Sequence, residues 1–120
     1  MSIEYFFEVK EERLIVQTSG VAKNLEDTFE YALAIIEMAV KSNSTKILCD
    51  ERNLAHQLGV IDTVSLAEKT RAAAPGVARV AVVVSDEDLE NVKFYETATN
   101  NRGLIIIVTS DYSEAEDWLK

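Results

Sequence analysis

Hydrophobic and polar positions alternate in two registers along this chain, first with a period of two and then with a period near 3.6. Ile3 to Glu8 and Leu14 to Thr18 are rich in β-branched and aromatic residues, and Lys10, Glu11, Glu12 and Arg13 part them with a polar turn. That pattern predicts an antiparallel hairpin. Leu25, Phe29, Leu33, Ile36 and Val40 then recur at helical spacing, behind a capping Asn24 and with Glu26 and Asp27 in the first turn. They predict a helix ending near Ser42 or Asn43, with that stripe buried.

Ile47 to Cys49 predicts a third strand, and a helix is expected from about Asp62, with Thr63 to Ala74 as its body and Pro75 and Gly76 as its stop. The run VARVAVVV, 77 to 84, has too little polar alternation for a strand with one wet face. It predicts a central parallel strand covered on both sides, in the middle of the sheet. Ser85 and Asp88 form a capping-box-like pair opening a helix through about Asn100, with Gly103 after it. Leu104 to Val108 predicts another strand, and Ser110 or Asp111 caps a last helix with Ala115, Trp118 and Leu119 facing inward. The order β β α β α β α β α implies an α/β fold, a mixed and mostly parallel sheet of four or five strands with four helices and one antiparallel strand near the edge.

Length and composition narrow the function. The 120 residues suit one domain spanning 1–120, large enough for a core without disulfide or metal staples. A formal charge of −9, with scattered lysines and arginines, argues against a nucleic-acid partner. No apolar run approaches the ~20 residues of a membrane span, and the acidic N-terminal stretch lacks the basic region of a signal peptide, so a cytoplasmic location is expected. Cys49 is the single cysteine and sits in an apolar strand, which predicts a packed, quiet thiol. The four glycines, at 20, 59, 76 and 103, are expected at element boundaries, and none builds a phosphate loop.

Candidate chemistry concentrates where the third strand's apolar run gives way to Asp50, Glu51, Arg52 and Asn53, followed by the lone His56. In open α/β sheets, ligands collect beyond the carboxyl ends of strands. Residues two apart on an extended segment project the same way, so Asp50 and Arg52 form a salt bridge, or an arginine held to receive an anion or a partner carboxylate. Asp50, Arg52, Asn53 and His56 are therefore the candidate binding residues. His56 reads as a loop anchor before a general base, and one histidine leaves hydrolase triads without support. The aromatic residues, among them Phe6, Phe7, Phe94 and Tyr95, read as core before cavity lining.

The segments ILCDERN closing the third strand, ARVAVVVS as the next, NNRGLIIIV before the last and SEAEDWL at the end resemble the STAS domain. The closer resemblance is to the SpoIIAA-like subgroup related to CRAL-TRIO lipid-binding domains. It implies a non-enzymatic regulatory or binding module without cofactor or metal, working as a homodimer or with a protein partner; the alternative is a carrier or sensor of a small apolar, lipid-like or anionic ligand. Antagonists of this fold carry a phosphorylatable serine in a D-S-S-G-like context at the third strand's end. This chain has Asp50, Glu51, Arg52 and Asn53 there, leaving Thr63 or Ser65 as displaced phosphorylation candidates. An apolar ligand would lie between Leu25, Phe29, Leu33 or Ile36 and the sheet, whereas an enzyme would pair His56 with Asp50.

Overall fold

A computed structural model describes residues 2–74, 79–100 and 105–120. Five strands, β1 (Ile3–Lys10), β2 (Arg13–Ala22), β3 (Lys46–His56), β4 (Arg79–Val83) and β5 (Ile106–Thr109), lie side by side in sequence order. The β1–β2 pair is antiparallel, and β2, β3, β4 and β5 run parallel. Four helices connect and cover them: α1 (Leu25–Lys41), α2 (Val60–Ala73), α3 (Leu89–Asn100) and α4 (Tyr112–Trp118). The mixed α/β sheet with its opening hairpin is thus present, and β1 is the antiparallel edge strand. The expected stops at 75 and 76 and at 103, and the first residues of the 77–84 and 104–108 runs, lie outside the described residues.

Helices bury one face of the sheet and part of the other. On one, Leu14, Val16, Ile47, Cys49, Val82 and Val108 pack beneath Tyr31, Ile35 and Ala39 of α1, with Leu89, Val92 and Tyr95 of α3 alongside. On the other, Leu48, Ala81 and Val83 meet Ala115 and Leu119. Burial on two sides explains why β4 past Arg79 reads as a continuous apolar run. The middle strand is nevertheless β3, with β4 beside it.

Four expectations are corrected. The buried face of α1 is Thr28, Tyr31, Ile35 and Ala39, not the Leu25–Phe29–Leu33–Ile36–Val40 stripe, and Val40 is 67% exposed. Polar atoms decide this, because the Tyr31 hydroxyl finds partners in the core and turns its own face inward. Helix α2 begins at Val60 behind Gly59, earlier than Asp62. β3 does not stop at Cys49 but runs through the charged residues to His56, because β2 extends to Ala22 and pairs with it on both sides of one irregularity. Gly20 is no boundary residue: it lies inside β2 with φ +103°, and a Cβ there would overlap the Ser2 carbonyl oxygen, which accepts from Val21 N–H at 2.9 Å.

The helix ends follow their expected caps. Asn24 Oδ1 accepts from Asp27 N–H at 2.8 Å, and Asp111 accepts from the Ser113 and Glu114 N–H groups. Asn43, past the end of α1, takes φ +55°, a conformation asparagine tolerates. Asp88 N–H donates to Ser85 Oγ at 3.3 Å, as the capping pair requires, but the Asp88 carboxylate turns elsewhere.

The two sheet edges differ. Along β5, the Glu96 carboxylate accepts from Val108 N–H, and the Asn100 amide bonds both N–H and C=O of Ile106, so α3 side chains cap that edge. β1 carries instead the alternating charges Glu4, Glu8 and Lys10.

Substituting Gly20→Ala forces a side chain into a left-handed position against backbone, and is expected to lower unfolding stability by about 1–3 kcal/mol. Denaturant titration checks this; an unchanged midpoint would show that β2 relaxes around the added methyl.

Candidate functional site

An irregularity in β3 organises the polar residues. Gln17 pairs with Asp50 and Ser19 with Asn53, so two steps along β2 match three along β3, a β-bulge at Glu51–Arg52. Side chains of a regular strand alternate between faces, and residues five apart then oppose each other. The extra residue reverses that phase: Glu51, Leu54 and His56 all face α1–α3, while Arg52 and Asn53 are both exposed.

The expected cluster is therefore split. Asp50 and Arg52 lie on the α4 face, where Arg52 Nε and Nη2 each donate to an Asp50 carboxylate oxygen at 2.8 Å. Arg52 is half exposed, its guanidinium 5.1 Å from the Tyr112 ring centre. This bidentate pair holds the Asp50 carboxyl below its ordinary pKa, against the opposing effect of burial. Asn53 sits exposed at the bulge. His56 is on the opposite face, so no His56–Asp50 pairing exists.

His56 instead closes a chain of hydrogen bonds. Its Nε2 lies 2.8 Å from Glu51 Oε1 and its Nδ1 3.1 Å from Asp88 Oδ2, which also accepts from the His56 N–H at 3.2 Å. Tyr31 donates to Glu51 Oε2 at 2.8 Å, which leaves its oxygen to accept from Thr18 Oγ1 at 2.7 Å. Burial pushes the His56 pKa down, but the two carboxylates outweigh it and leave the pKa above its ordinary value. Only the imidazolium donates from both ring nitrogens, so that form fits this clamp. Burial, and then Glu51, raise the Tyr31 phenol well above its usual range. The Cys49 thiol behind them is likewise raised by burial first and Glu51 second, consistent with the quiet packed cysteine that the sequence implies.

The clamp fastens the end of β3 to the loop that follows β4, so the two strands' trailing segments do meet, as parallel neighbours should. Glu51 and Asp88, rather than Asp50 and Arg52, are His56's partners. Sequence reading passes over them because Glu51 stands between two residues of the other face and Asp88 looks like a helix cap. Tyr31 carries a weak signal, a polar-tipped aromatic in an apolar helix. Among the described residues, no group of three His, Cys, Asp or Glu side chains is placed to hold a metal ion.

Beside the clamp, a cavity of about 120 Å³ lies between the sheet and α1–α3. Of the apolar residues expected to line such a space, Ile36 does; Leu25, Phe29 and Leu33 do not. Thr63 is on its wall and donates to the Gly59 carbonyl at 2.8 Å, while Ser65 is half-buried on α2.

A raised histidine pKa makes stability depend on pH. The clamp's contribution is complete below the unfolded histidine value and is lost as pH rises through the folded one. His56→Gln is therefore expected to cost about 1–3 kcal/mol near pH 6 and distinctly less near pH 9. Urea unfolding at both values reads the difference; an equal loss at each would show that the imidazole does not change charge between them.

No family model matches the chain, and no curated protein matches it. Solved structures do share its fold. An anti-sigma factor antagonist from Mycobacterium paratuberculosis aligns with a TM-score of 0.66 at 14% identity, covering 98% of this chain and 94% of that one. An uncharacterised Shewanella loihica PV-4 protein with a SpoIIAA-like fold aligns at 0.56 with 20% identity, covering 99% and 94%. The anti-sigma factor antagonist SpoIIAA in its unphosphorylated form aligns at 0.55 with 15% identity, covering 96% and 95%. The protein thus has the SpoIIAA-like, STAS-type fold.

Proposed function

We propose that this protein is a regulatory binding module that acts without catalysis, by docking another protein on the open half of its α4-side sheet face. The observation that carries this reading is the incomplete cover of that face. Helix α4 is only seven residues long and packs mainly on β3, β4 and β5; Ile15 of β2 joins its cluster half-buried, while Gln17 of β2 and Phe6 of β1 stay exposed beside it.

The register fixes what is exposed there. Phe6 pairs with Gln17 and Gln17 with Asp50, so the three share one face in a row across β1, β2 and β3. Phe6 is 73% exposed, the extreme case of an aromatic that the sequence suggested was core. Its ring stands roughly two strand spacings, about 10 Å, from the Asp50-held Arg52. Aromatic and arginine side chains are the usual energetic anchors of protein interfaces. Asp50 removes much of the entropic cost of ordering Arg52, because the guanidinium is already aligned before a partner arrives. Asn53 adds an exposed amide at the bulge, so Asp50, Arg52 and Asn53 keep the binding role proposed for them, whereas His56 supports the scaffold.

Relatives in fold lend support, since an anti-sigma factor antagonist is by name a protein that acts on another protein. A second copy of this chain is the simplest partner. No described helix is long and apolar enough to cross a membrane.

Phe6→Asp and Arg52→Ala are expected to abolish a complex that the wild type forms, while Phe94→Asp, on α3 away from this face, leaves it intact. Light scattering of the purified protein tests the homodimer, and affinity capture followed by quantitative mass spectrometry tests other partners. Equal recovery of the same partner by all three variants would refute the surface.

A further inference from the structure

Thr70 departs from a pattern that three other helical threonines keep. Thr28, Thr63 and Thr99 sit at helical positions and return their hydroxyls to the carbonyl four residues earlier, each at 2.8 Å. Thr70 of α2 does not: it is 6% exposed, and its Oγ1 has no hydrogen-bond partner. The Thr70 hydroxyl is near enough to the Tyr95 phenol to lower its pKa against the larger upward effect of burial, though the two do not reach hydrogen-bond geometry. A buried hydroxyl without a partner requires an explanation, because native interiors satisfy nearly all such groups.

Both Thr70 and Tyr95 are on the wall of the 120 Å³ cavity, whose remaining lining includes Ile35, Ile36, Leu66 and Val82. A space of this order, roughly that of an apolar cavity able to take a benzene-sized molecule, is better filled by hydrocarbon than by water, which needs two to four polar partners. Charge at its polar end narrows the choice. Glu51, protonated His56 and Asp88 together carry one net negative charge, and both His56 ring nitrogens and the Tyr31 hydroxyl proton are already committed. A carboxylate or phosphate entering there would meet repulsion from that net charge, so an anionic lipid is disfavoured.

We propose that this cavity binds a neutral, ring-sized apolar molecule bearing one hydroxyl, which hydrogen-bonds Thr70 Oγ1. The site is on the opposite side of the sheet from the proposed docking face and does not depend on it. Thr70→Val is the informative change, since it keeps the shape and removes the hydroxyl, and binding of the apolar ligand itself reports whether the variant is folded.

Phenol, toluene and octanoate serve as probes, read by calorimetry and by amide chemical shifts at neutral pH. Phenol is expected to bind saturably at one site, shifting the amides of Ile36, Leu66 and Val82, and octanoate is expected not to compete. Thr70→Val should weaken phenol about fivefold, the worth of one hydrogen bond, and leave toluene unchanged or tighter. Ala32→Leu, which fills the cavity from α1, should weaken both. The proposal is overturned by absence of saturable phenol binding up to its solubility limit, by equal effects of Thr70→Val on phenol and toluene, or by octanoate binding more tightly than phenol.

Discussion

The phase reversal in β3 is the constraint on which this structure turns. A strand at the centre of a two-sided sheet has no spare face for charge, yet β3 carries Asp50, Glu51 and Arg52 in succession. Without the bulge, Leu54 and His56 would be delivered to the α4 side and Glu51 would be left buried without its imidazole. One additional residue lets the strand deposit Asp50 with Arg52 on one side and Glu51 with His56 on the other, so each buried carboxylate meets a cation. Burying charge is unfavourable unless it is paired and its remaining lone pairs are satisfied, and both conditions are met here by Tyr31, Thr18 and the backbone.

The two sides of the sheet consequently differ in kind. Under α1–α3 the polar groups look inward and join secondary structure: Glu51 links the middle strand to α1 through Tyr31, and Asp88 links it to the entry of α3 through His56. On the α4 side the pair looks outward, with a half-exposed guanidinium beside an aromatic ring. The first arrangement suits a scaffold and an enclosed small ligand, and the second suits recognition of something large. Cover at the β5 edge and its lack over Phe6 and Gln17 reinforce that polarity.

Much of the fold was legible because its signals are local. The VARVAVVV run, apolar but for Arg79, read as an interior strand, Asn24 and Asp111 stood at the heads of their helices, and the element order implied parallel crossovers. The site was less legible, and for physical reasons. A bulge reflects how β2 and β3 share hydrogen bonds, which no window of one strand encodes, so Asp50 and His56 looked like neighbours at an even spacing. The rotation of α1 depended on a buried hydroxyl rather than on its largest hydrocarbons, and Tyr31 carries only one such atom. Thr70 is unremarkable in sequence because its distinction is an interaction it does not make.

The position of Cys49 gives the molecule a reporter of its own. It is the single thiol, in the central strand, directly behind Tyr31 and Glu51 and covered by α1. Cys49 also lines the cavity between the sheet and α1–α3, so a small reagent meets it through that space. Its rate of alkylation under native conditions therefore reports how readily that space opens to solvent, independent of any knowledge of what the protein binds.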